Sequence, residues 1–109
     1  MALALNVFQT VVGIVSTSPV SVYTAPVGYT GVVLLAQVAN IGATSEDVTF
    51  VHRRSSTDTE LLKEYPISAN DTSSLLAGKL VLESGDKLVL SGSNASNLKF
   101  VASLLETLN

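Results

Sequence analysis

His52, Arg53 and Arg54 form the one basic cluster of this chain, and His52 is its only histidine. A catalytic triad or a histidine-based zinc centre needs partners of matching type. No cysteine is present to supply a thiolate, a disulfide or a zinc ligand. Two adjacent arginines could meet an acidic neighbour or a phosphate. The simpler reading is a solvated strand end.

Carboxylates are the other candidates for chemistry. Asp58 and Glu60, two apart, share a face if that stretch is extended, whereas the adjacent Glu46 and Asp47 point apart. Acid–base hydrolysis of a glycoside needs two carboxyls roughly 5–10 Å apart in a cleft. The sequence marks no cleft and offers no nucleophile–base pair, so a non-enzyme is expected. Asp71 and Asp86 read as turn residues. Calcium needs several oxygen ligands at close spacing, and Asn70-Asp71-Thr72 is too sparse for that. An Asx-type turn explains it better. No cofactor or metal is expected.

The remaining motifs are weak. Asn70-Asp71-Thr72 and Asn94-Ala95-Ser96 match the glycosylation pattern, which arises often by chance in Ser/Thr-rich chains. Ser91-Gly92-Ser93-Asn94 lacks the Lys-Ser/Thr ending of a phosphate loop. Tyr23, Tyr29 and Tyr65 could stack on a sugar. Their scatter suits sheet ends or subunit contacts better.

The distribution of charge says more than any motif. The chain has 109 residues, and the first ionised side chain is Glu46. All fifteen Asp, Glu, Lys and Arg residues lie between Glu46 and Glu106. A stretch of 45 residues without charge has little to hold it at a water surface. It either forms most of the core or is covered in part by another subunit. Charged residues reach only 14%, which is low for a lone soluble monomer. The net charge of −3 provides no footprint for nucleic acid. Met1–Val15 is too short to span a bilayer and lacks the basic start of a secretory signal, so no membrane partner is expected.

These features must be positioned by strands. Short apolar runs rich in Val, Leu and Thr are separated by Gly, Pro, Asn, Asp and Ser. That cadence predicts one all-β domain over residues 1–109, an antiparallel β-sandwich, jelly-roll-like or Ig-like, of about eight strands. Asn6–Val15, Val20–Ala25 and Thr30–Asn40 are the first three candidates. Val32-Val33-Leu34-Leu35-Ala36 implies burial on both faces; a helix is the rival reading there. Val48–Arg53 and Glu60–Tyr65 follow, the latter ended by Pro66. Ser68–Ser73 reads as a polar turn. Leu75–Leu82 and Lys87–Ser91 flank Glu83-Ser84-Gly85-Asp86, a hairpin signal. Leu98–Leu104 closes the chain, with a short helix as the alternative.

The order of turn motifs resembles small β-sandwich virion proteins of tailed bacteriophages. The residues that carry this are Tyr23-Thr24-Ala25-Pro26-Val27-Gly28-Tyr29-Thr30, Val48-Thr49-Phe50-Val51, Pro66 to Thr72, Leu82 to Leu88, and Phe100-Val101-Ala102-Ser103 with Glu106. The likeness covers residues 20–106. It implies a virion protein of neck, tail or capsid-decoration type, built from homo-oligomeric and protein–protein contacts. A glycan- or host-surface-binding module is the alternative.

Residues 1–19 lie outside that likeness, as a possible intersubunit strand or arm. Val7 and Val11, with Gly13, face one way in a strand, and Phe8, Val12 and Ile14 face the other. Both faces are then largely apolar and need a second covering surface. Val7, Phe8, Val11, Val12 and Ile14 are therefore the candidate intersubunit contact.

Overall fold

A computed structural model describes residues 5–109, all in strands and their connections. The chain is a β-sandwich of two antiparallel sheets. Its strands are β1 (Asn6–Ile14), β2 (Val20–Thr24), β3 (Tyr29–Asn40), β4 (Glu46–Arg54), β5 (Thr57–Ile67), β6 (Asp71–Ser74), β7 (Leu80–Leu82), β8 (Lys87–Gly92) and β9 (Leu98–Leu108). The first sheet runs β1-β9-β3-β6, with β7 also paired to β3. The second runs β2-β8-β4-β5.

Period-two alternation builds the core. In β9, Leu98, Phe100, Ala102 and Leu104 point inward and are buried, while Lys99, Val101, Ser103 and Leu105 point outward. Phe50, Leu88 and Leu90 from the second sheet meet them, together with Val33 and Val38 of β3. This is the interdigitated packing of two inner faces about 10 Å apart.

The chain crosses repeatedly between the sheets. Only the β4–β5 and β6–β7 connections stay within one. The β4–β5 link is a tight hairpin in which Arg54 pairs with Thr57 and Ser55 takes φ 55°. The expected hairpin at Glu83–Asp86 does not form. Strand β7 pairs with β3 in the first sheet, and β8 lies in the second, so this turn is an arch between sheets. Gly85 has φ +87°, a value that favours glycine, which is why the segment reads as a turn either way.

Other boundaries also move. There are nine strands where about eight are expected, because the polar stretch expected as a turn contains β6, which pairs with β3. Leu75–Leu82 shrinks to the three residues of β7. Pro66 lies inside β5, opposite Asp47. An edge strand tolerates it, since an outward-facing position needs no N–H. Strand β9 runs on to Leu108, and β3 is a strand throughout. A register shift between Val33 and Leu35 leaves Leu34 and Leu35 37% and 36% exposed, so β3 is not covered on both faces.

Candidate functional site

The charge-free stretch does not make most of the core. Buried apolar side chains come mainly from later residues such as Phe50, Leu82, Leu90 and Leu104. Among the described residues, nine of the eleven exposed large hydrophobic side chains lie before residue 45, which marks that part as surface rather than interior. The largest grouping of them surrounds β1.

Strand β1 sits at the edge of the first sheet, paired on one side with β9 in an unbroken register from Asn6↔Thr107 to Ile14↔Lys99. Its odd residues face inward. Val11 packs against the core, and Val7 is half-buried. Its even residues face out, with Phe8 75%, Val12 71% and Ile14 57% exposed. The structure thus separates the five sequence candidates into an inner pair and an outer trio. Ile14 ends the strand. Val15 turns inward, is fully buried, and donates its N–H to the Leu98 carbonyl.

The outward trio continues across the sheet. Register places Leu105 beside Phe8, Val101 beside Val12, Val32 beside Leu105, and the exposed Val81 beside Val32. Lys99, opposite Ile14, is the sole ionisable side chain at the outward positions of β1 and β9. Val12, Ile14, Gln37, Ala39, Lys99 and Val101 line a shallow hollow at one end of this face. A contiguous apolar surface of this kind makes this face the candidate contact site. One edge of the second sheet differs. β5 carries Asp58, Glu60, Lys63, Glu64 and Pro66, which discourage pairing; β1, like β2 at the opposite edge of the second sheet, carries no charge and no proline.

The polar candidates are engaged within the fold. Asp86 is 2% exposed in the β7–β8 arch. It accepts two hydrogen bonds from Arg54, at 2.9 and 2.8 Å, and one from the Glu83 N–H at 2.9 Å. The His52 ring nitrogen Nε2 lies 3.1 Å from the same carboxylate. The Arg54 hydrogen bonds hold Asp86 well below the usual carboxylate range, against the opposing effect of burial. Arg53 binds Asp58 through two contacts of 2.6 and 3.0 Å. The basic cluster is a partly solvated end of β4 whose members also pair with acids of the same chain. Two of its members brace the arch, and the third caps a hairpin.

Asp58 and Glu60 do share a face, along a hollow that Thr49, Val51 and Arg53 also line. Hydrogen bonding to Arg53 lowers the Asp58 pKa, so this carboxylate is a poor general acid. Glu46 accepts from Ser93, Thr44 and Asn94 in a loop cluster, and its pKa is lowered chiefly by Ser93. Tyr23 is buried, and Tyr65 is 40% exposed on the second sheet, so these two form no common stacking platform. Among the described residues no three His, Asp or Glu side chains converge as metal ligands.

Two buried polar residues have structural roles that the sequence does not announce. Glu106 is 5% exposed, accepting from Tyr23 and Gln9. Asn40 is 1% exposed and bridges loop backbone to the end of β5. The inward parity of Glu106 in an apolar strand was the one available signal.

No family model and no curated protein matches this chain. Its fold is similar to that of a chain in the acidic stable capsid structure of Helicobacter pylori bacteriophage KHP30, with a TM-score of 0.58 and 13% identity over 96% of this chain and 89% of that one. The likeness establishes a shared β-sandwich fold.

Proposed function

We propose that this chain is a non-enzymatic structural component of a phage virion. It acts as a single domain through contacts with copies of itself and with other virion proteins. The observation that carries this reading is the charge-free leading stretch, which presents Phe8, Val12 and Ile14 to solvent instead of burying them in its own core. Covering what remains exposed of those three side chains would stabilise an assembly by roughly 3–6 kcal/mol per copy before the cost of association. The fold likeness to a capsid chain supports the same reading. Neck, tail and capsid decoration are the locations it admits.

A glycan-binding module would need exposed aromatics gathered with Asn or Asp on one face. Phe8 and Tyr65 are the exposed aromatics here, and they belong to different sheets. The test is mass spectrometry and antibody labelling of purified phage particles. The chain is expected at many copies per particle. Its absence from particles that are complete and infectious would overturn the proposal.

A further inference from the structure

We propose that the outer face of the first sheet is a two-fold contact with a second copy of this chain. In it each Phe8 enters the hollow that the other copy forms around Val12, Ile14 and Val101. The inference rests on the reading of this chain as an assembly protein and names the surface used.

Shape comes first. Phe8 is 75% exposed, and the hollow lies on the same face of the same strand. Four to six residues separate them, about 14–20 Å along an extended strand. A phenyl side chain cannot span that distance, so a copy cannot fill its own hollow. A two-fold axis lying in the interface and crossing the strands at the paired residues Thr10 and Ser103 solves the problem. It exchanges the level of Phe8 with that of Val12. Each ring then lies over the other copy's hollow, giving the same contact twice.

Charge does not oppose this partner at this face. The chain carries a net charge of −3, so two copies repel over most of their surfaces. The outward positions of β1 and β9 hold no acid, and Lys99 is their one cation. Lys99 lines the outer end of the hollow, and the same axis carries it to the level of Thr107 at the polar end of the other copy's sheet, so its ammonium stays at the rim in water. The area is sufficient. Strand β1 spans about 30 Å, and four strands span about 19 Å. Such a face offers on the order of 600 Å² per copy, which reaches the lower end of specific interfaces at about 1,200 Å² in total. Adding a strand at the free edge of β1 would instead leave Phe8, Val12 and Ile14 wet.

The chain has no cysteine, so single introduced cysteines report contacts without background. Light scattering at about 100 μM, a concentration that populates contacts of micromolar affinity, is expected to give twice the monomer mass of 11.4 kDa. A short bismaleimide should join two copies of Thr10→Cys and not two copies of Thr57→Cys, on the other sheet. Phe8→Glu should weaken the dimer at least ~30-fold with its strand circular dichroism unchanged. A monomer, a trimer, or a dimer joined only through Thr57→Cys would overturn the contact. Particle analysis reads the virion proposal separately. A chain found in particles yet monomeric in solution sinks the contact alone; a dimer absent from particles sinks the virion role alone.

Discussion

The Tyr23 hydroxyl donates a 2.5 Å hydrogen bond to Oε2 of Glu106, tying β2 of one sheet to β9 of the other. Gln9 donates to the second oxygen of the same carboxylate at 2.7 Å, so β1 shares the clamp. Gly31 leaves room for it, since a Cβ there would come within 3.2 Å of the tyrosine hydroxyl. A buried carboxylate with two donors is satisfied; with one it is partly stranded.

Tyr23→Phe is therefore expected to cost about 1–2 kcal/mol of stability. Burial and then the Glu106 hydrogen bond raise the Tyr23 pKa well above that of a free phenol. The folded state thus keeps its proton while the unfolded tyrosine ionises near pH ~10. That contribution is fully present below pH ~10 and is lost as pH rises toward the folded value. A tyrosinate absorbance step that appears only on alkaline unfolding should vanish in Tyr23→Phe. An identical step in both proteins would contradict the clamp.

Asp86 gives the complementary acid prediction. Its folded pKa is depressed, first by the Arg54 hydrogen bonds. Between that value and ~3.9 the unfolded chain binds the extra proton and the folded chain does not. Stability from this carboxylate is present above pH ~4 and falls as pH drops through the folded value. Calorimetry should show a Tm nearly level from pH 8 to 5, then declining below about pH 4. Asp86→Asn should start lower and decline less. Parallel curves for the two proteins would exclude Asp86 as a source of the acid transition.

Removing the carboxylate altogether should loosen the arch. Arg54 is half exposed and can turn to water, so the loss is smaller than for a wholly buried pair. Asp86→Ala is expected to cost about 2–3 kcal/mol, or roughly 10–20 °C in Tm for a domain of this size. Faster amide exchange should be confined to Glu83 and its neighbours. A change below about 0.5 kcal/mol would show that the arch is held by its backbone contacts alone.

Asn40 closes the far end of the sandwich. Its amide donates to the carbonyls of Thr44 at 2.8 Å and Ile67 at 2.9 Å, and its oxygen accepts from the Gly42 N–H at 3.0 Å. Asn40→Ala leaves those groups unpaired near the core and is expected to cost about 2–3 kcal/mol. Urea unfolding should show a lower midpoint with an unchanged slope. A steeper or shallower slope would mean that the variant alters compactness instead.

The strands around the core were legible because their alternation is local. Leu98, Phe100, Ala102 and Leu104 show a period of two in the sequence and point inward as it implies. The outward direction of Phe8, Val12 and Ile14 follows from the same period, once Val11 is known to face the core. In the sequence, the arch at Glu83–Asp86 looks like a hairpin. A glycine-containing turn between apolar runs looks the same whether the flanking strands pair with each other or with separate sheets. The roles of Glu106, Asp86 and Asn40 were hidden for a related reason. Each depends on a partner 27 to 97 residues away, or on depth within the sandwich.

Period and composition alone determined that this chain is an antiparallel sandwich whose opening stretch has no ionic means of staying in water. Those properties belong to neighbouring residues and survive in any arrangement of the strands. Only the tertiary structure decided that β1, the first strand of this stretch, lies at the edge of a sheet, with one face on the core and the other uncovered. Strand order is set by contacts between distant segments, and it determines which apolar side chains the chain can bury by itself.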